Sequence, residues 1–167
     1  MLVLGIDPGT ALCGYSLVRA VNDEYMLVAY GAISTPSNLP LAQRLRQIYT
    51  ELSTLLTQHH PDAAAVEKLF FSKNVRTALA VGHARGVVLL AAAQADVPVF
   101  EYTPNEVKQA IVGYGGADKN QMQQMVRMLL HLDFVPEPDD AADAVAIAIC
   151  HLQSARLREM IQAQDVP

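Results

Sequence analysis

At 167 residues and 51% hydrophobic, the chain has apolar material for one domain with a substantial core. No apolar run reaches the ~18–20 residues of a membrane span, no basic flank precedes the first apolar stretch as in a secretory signal, and two isolated cysteines, Cys13 and Cys150, suit a reducing cytoplasm better than a disulfide scaffold. The net charge of −5 argues against a polyanionic partner only on average, because residues 68–127 hold seven basic and four acidic groups and the remainder five and thirteen.

Residues 2–7, LVLGID, read as a short buried strand. Residues 14–20 and 25–34 follow after turn-like breaks, which predicts a three-strand meander. TPSNLP at 35–40 breaks the chain; Ser37 or Asn38 is placed to cap a helix, with Pro40 near its first turn. Leu41, Leu45, Ile48, Leu52 and Leu55 then recur at helical spacing until HHP at 59–61. A second apolar run, DAAAVE at 62–67, gives a fourth strand, followed by a loop at 68–74, a long helix over 75–95 and a strand at 97–102. Pro104 opens another helix, GYGGAD at 113–118 interrupts, a helix covers 119–132, and DFVPEP ends it. The last helix starts at Asp139 or Asp140 and runs past Cys150, and His83, His131 and His151 read as ordinary helix residues. Strands first, then helices alternating with strands, predict a mixed sheet with helices packed on it, in one domain over 1–157 with a C-terminal tail at 158–167.

Three apolar stretches meet an acid at one end: the first strand ends in Asp7, the fourth in Glu67, and the last helix begins DDAAD. Asp140 and Asp143 lie three apart and share a face of the first turn. Most of these acids have an ordinary explanation. Asp7 before Pro-Gly is a usual turn residue, Asp139 or Asp140 a usual N-cap favoured by the helix dipole, and Glu67 at a strand end can reach solvent. Asp143 has no such account, because it lies inside an apolar helix among alanines and valine. Carboxylates beside a core are costly unpaired and repel one another when clustered, so positive charge is expected among them. An all-oxygen donor set suits Mg²⁺ or Mn²⁺, and no Cys/His pair has zinc spacing. Two such ions ~3.5–4 Å apart can activate a water and stabilise the leaving oxygen of a phosphodiester.

Adjacent aromatics such as Phe70 and Phe71 usually join a core. Here the polar Ser72, Lys73 and Asn74 follow, and an exposed ring beside basic groups suits base stacking, worth ~1–3 kcal/mol per base. Lys73 and Arg76 are candidates for phosphate contact. Ala78, Gly82 and Gly86 recur every four residues and give the 75–95 helix a smooth face. Glycine inside a helix costs ~1 kcal/mol against alanine, which close packing on the chain's own sheet or on a two-fold partner helix would justify.

The motifs GIDPGT with GY shortly after, VEKLFFSKN, ARGVVLLAAA, VKQAIVGYGGADKNQM and DDAADAVAIAI, in that order over residues 1–152, resemble the RuvC family of Holliday-junction resolvases. The resemblance implies an α/β, ribonuclease-H-like fold with a five-stranded mixed sheet flanked by helices. It implies a homodimer that cuts two opposing strands of four-way junction DNA in recombination and repair, leaving 5′ phosphates and 3′ hydroxyls. It implies Mg²⁺ as cofactor, two ions per active site with Mn²⁺ as a substitute, and a branch-migration motor complex of the RuvA–RuvB type as a partner. Carried over by position, the resemblance makes Asp7, Glu67, Asp140 and Asp143 the metal-binding acids; Asp140 is taken over Asp139 because the family pattern is an acid, two small residues, then Asp. It places the junction-centre aromatic at Phe70 and basic DNA contacts at Lys108 and Lys119, and it favours a dimer partner for the face of Ala78, Gly82 and Gly86. The alternatives are a ribonuclease-H-like nuclease on another nucleic acid, a non-enzymatic junction-binding module, and an actin-type ATPase, which would need a second lobe and a second phosphate loop.

Overall fold

Alternation along the first strand decides how the layers are built. In β1 (Leu2–Asp7), Leu2, Leu4 and Ile6 enter one apolar cluster while Val3 enters another on the opposite side. The computed structural model describes residues 1–22, 24–68 and 75–164, with the side chains of 75–77 and 164 outside the description. β2 (Leu12–Val21) pairs antiparallel with β1, and β3 (Glu24–Ser34) antiparallel with β2. β4 (Ala63–Glu67) runs parallel to β1 and β5 (Val99–Tyr102) parallel to β4, giving the order β3-β2-β1-β4-β5. The expected five-stranded mixed sheet is therefore present.

Helices cover both faces. α1 (Leu41–His59) brings Ile48, Leu52 and Leu56, and α2 (Val75–Gln94) brings Ala84, Val88 and Ala91, onto Leu4, Ile6 and Leu17. On the other face α3 (Pro104–Val112), α4 (Lys119–Leu129) and α5 (Asp139–Gln164) close over Val3, Val18 and Ala65. Capping boxes start α3 at Thr103 with Glu106 and α4 at Asp118 with Gln121.

Several boundaries differ from the sequence reading, each for a local reason. α1 is capped by Pro40, not Ser37 or Asn38, and has no side-chain cap bond. β5 starts only at Val99, because the Val97 N–H closes the end of α2 on the Ala92 carbonyl. α4 stops at Leu129, and His131 lies beyond it at φ 52°, outside any helix. His151 lies within α5, as read, and is fully buried, its Nδ1 2.8 Å from the Tyr102 hydroxyl. Residues 158–164, expected as tail, continue α5.

Candidate active site

The register of β1 and β4 sets two acids side by side. Ile6 pairs with Val66, so the next residues, Asp7 and Glu67, end their strands side by side at the carboxyl ends of parallel neighbours. On its other side Asp7 pairs with Gly14 of β2. This end of a parallel sheet, where crossover helices begin, is the usual place for a ligand in an α/β fold.

The remaining acids arrive on α5, and the sheet is cut away to receive them. A Cβ on Gly14 would stand 2.0 Å from the Asp140 carbonyl oxygen, and one on Gly5 2.1 Å from that of Ala144. Between them the Ser16 hydroxyl donates to the Ala144 carbonyl at 2.9 Å. Two glycines and a serine thus seat the first turns of α5 on β1 and β2, laying Asp140 over the residue that pairs with Asp7.

The resulting crowding is electrostatic as well as steric. Burial pushes the Asp7 carboxyl up to about 7, and repulsion from Glu67, Asp143 and Asp140 adds to it against an opposing pull from Lys119. Glu67 is raised by burial and then by Asp143; Asp143 is raised by burial, with Lys119 pulling the other way. The Lys119 ammonium, at the first position of α4, lies 2.9 Å from Asp139 and 3.7 Å from Asp143. Asp139 also accepts from Gln123 Nε2 at 2.9 Å. Asp139 is therefore engaged by α4, while Asp140 is the neighbour felt by Asp7. A cleft of about 230 Å³ beside these groups is lined by Glu67, Asp143, Lys108 and Lys119 over an apolar floor that includes Val107, Met122 and Ile147.

The structure thus gathers Asp7, Glu67, Asp140, Asp143, Lys108 and Lys119 at one end of the sheet. Phe70 and Lys73 lie outside the described residues, and Arg76 is placed only by its main chain in α2. Ala78, Gly82 and Gly86 belong to α2 on the opposite face; Ala78 is buried, whereas a Cβ on Gly82 or Gly86 would meet nothing within 4 Å. The sequence reading missed the seat made by Gly5, Gly14 and Ser16, whose only trace is glycine inside a strand pattern. It also missed the pairing of Lys119 with the acids.

Among the described residues, no three His, Cys, Asp or Glu side chains close on one point as a protein cage for a metal. The donor chemistry still fits a hard divalent cation. All candidate donors are carboxylate oxygens, they repel one another, and Lys119 is the cation that opposes them in the Asp7 balance. Mg²⁺ is typically held by one or two carboxylates, waters and substrate phosphates and not by an all-protein shell.

Residues 3–151 match the family described as Crossover junction endodeoxyribonuclease RuvC. The chain belongs to the RuvC family. RuvC of Alkaliphilus oremlandii is 52% identical over 97% of this chain and 99% of its own length, and RuvC of Roseiflexus sp. 56% identical over 95% of each. The structure of T. thermophilus RuvC in complex with a Holliday junction substrate superposes with a TM-score of 0.90 at 39% identity, over 94% of this chain and 96% of that one. At 17% identity and a TM-score of 0.65, the yeast mitochondrial Holliday junction resolvase Ydc2 shares the fold. The sheet order and flanking helices are those of the ribonuclease-H-like RuvC architecture. No helix among the described residues is long and apolar enough to cross a membrane.

Proposed function

We propose that this RuvC-family endonuclease nicks two opposing strands of four-way DNA junctions, using Mg²⁺ at the end of the sheet where Asp7 stands. The observation that carries the reading is the placement of Asp7 and Glu67 at adjoining strand ends beneath the first turns of α5 with Asp140 and Asp143, where burial and mutual repulsion raise the Asp7 carboxyl. A carboxylate held at that cost belongs with a cation that enters later. Asp7, Glu67, Asp140 and Asp143 would hold two Mg²⁺ ions, with Mn²⁺ as a substitute. When bound, the ions supply a more acidic attacking water and positive charge for the departing 3′ oxygen.

The chain's own groups do the rest. Asp7 and Glu67 sit on strand ends, so their positions are fixed before substrate arrives. Lys119 holds Asp139 and Asp143 and carries positive charge into the cleft, and Lys108 lines the same cleft. With Phe70, Lys73 and Arg76 they are the proposed DNA contacts, Phe70 as the ring that stacks on unpaired bases at the junction centre. Two bound divalent ions would take the net charge of −5 close to neutral and ease the approach of a polyanion.

Symmetric cutting needs two sites related by a two-fold axis, and α2 offers the surface. Gly82 and Gly86 are open to close approach, with Leu79 and Leu90 60% and 52% exposed along the same helix. We assign the homodimer to this face, and cytoplasmic action on nucleoid DNA beside a RuvA–RuvB type motor.

The test is incubation with a mobile four-way junction, with and without Mg²⁺, followed by mapping of the nicks. Paired symmetric nicks that need the ion and end in 5′ phosphate and 3′ hydroxyl are expected. Cutting of an RNA–DNA hybrid in preference to the junction, or binding without any cutting, would replace this reading by one of the alternatives.

A further inference from the structure

Arg44 occupies the first turn of α1, where the helix dipole disfavours a cation, and among the described residues it has no carboxylate partner. Its guanidinium reaches instead to the turn at residues 8–11 that begins immediately after Asp7. Nη2 donates to the Thr10 carbonyl at 2.7 Å and Nε to Thr35 Oγ1 at 2.8 Å, and the Thr35 hydroxyl donates to the same Thr10 carbonyl. The buried Thr35 also donates its N–H to the Ala11 carbonyl at 3.1 Å. Arg44 and Thr35 together hold both carbonyls of the turn's second half.

The Thr10 carbonyl and the Ala11 N–H belong to one peptide group. Two hydrogen bonds on the carbonyl, one of them charge-assisted, polarise that group and strengthen the N–H as a donor. The trans peptide aims this N–H opposite to the carbonyl, away from α1. Ala11 is exposed, and among the described residues its N–H meets no main-chain acceptor. We infer that Arg44 is a positioning residue for strand cleavage: clamped by it, the turn after Asp7 presents the Ala11 N–H to a backbone phosphate of the DNA strand lying across the acids. The inference rests on the nuclease reading above.

Arg44→Ala and the gentler, nearly isosteric Thr35→Val separate this role from others, the second carrying the test should the first fail to fold. In the full chain, Arg44→Ala lowers single-turnover cutting at saturating protein by between ~10- and ~100-fold, the scale of a small misplacement of reacting groups. Junction Kd stays within about twofold, and its salt slope is unchanged because Arg44 itself neutralises no phosphate. Thr35→Val moves the rate in the same direction by less. Arg44→Lys does not rescue, since one ammonium cannot reproduce the two-pronged bond. Amide exchange over residues 8–12 rises in both variants while β1 stays protected. A salt slope shallower by about one would make Arg44 a direct phosphate contact and overturn the inference, as would full rescue by lysine or unchanged exchange over 8–12. A wild-type chain that cuts no junction sinks the nuclease reading by itself; the exchange result then decides whether the clamp exists.

Discussion

Two helices of this chain are rich in small residues and use smallness in opposite ways. α5 is seated: Ala141, Ala144 and Ala148 are buried, and the sheet supplies Gly5 and Gly14 beneath its backbone. α2 turns Ala84, Val88 and Ala91 to the core and leaves Gly82 and Gly86 over open space between the exposed Leu79 and Leu90. A glycine whose missing Cβ is replaced by another backbone is a completed contact, and here it fixes where the acids stand. A helical glycine over empty space has only a cost within one chain, ~1 kcal/mol each. The first kind locates the proposed chemistry; the second marks where a second copy is proposed to come.

The largest effect expected on the α5 side comes from Asp7→Asn. It removes the charge at the centre of the cluster and should lower junction nicking by ~10²–10³-fold or more, with junction binding in gel shift within a few-fold of wild type. Its stability effect has the opposite sign. The Asp7 carboxyl titrates at about 7 when folded against 3.8 ordinarily. Between these values the folded chain keeps a proton that the unfolded chain has lost, so in metal-free buffer stability falls as pH rises from about 4 to about 7. Asp7→Asn should therefore melt above wild type at pH 8 in EDTA, with the gap closing by pH 4. Equal melting temperatures at pH 8 would mean that the carboxyl is not held at such a cost. Gly14→Ala comes next. Its Cβ collides with the Asp140 carbonyl, and forced repacking costs ~1–3 kcal/mol, which calorimetry would read as a lower Tm alongside slower cutting.

The contrast also marks how far the sequence could be read. Asp7 and Glu67 were visible because apolar runs end in acids, and Asp143 because a carboxylate inside an alanine-rich helix has no cheap alternative. The sheet and the helices on it followed from the order of the periodic segments. Choosing between Asp139 and Asp140 needed the family pattern; in three dimensions Lys119 and Gln123, from another helix, engage the first and leave the second to Asp7. The seat under α5 was illegible, since a glycine in a strand says that something comes close without saying what. Boundaries failed where the chain used unusual means: a proline cap without a side-chain bond at α1, and a histidine in the left-handed region after α4. Spacing by four along Ala78, Gly82 and Gly86 shows a run of small residues on α2 without saying what covers it; in three dimensions Ala78 is buried and both glycines stand over open space.

That open face gives the smallest and most discriminating prediction. Gly86→Ala adds one methyl where nothing lies within 4 Å in the single chain. Helix propensity alone then favours alanine by ~1 kcal/mol, or ~2–4 °C in Tm for a domain of this size. The gain should appear at protein concentrations low enough to leave the chain monomeric. If a partner helix approaches as closely as the glycines permit, the same methyl intrudes on it, and sedimentation equilibrium should show weaker self-association. One substitution should thus stabilise the monomer and loosen the dimer together. Stabilisation with unchanged self-association would remove α2 from the interface, and the glycines would keep only their cost. Gly14→Ala has no such double character, because its methyl meets its own chain before any partner arrives.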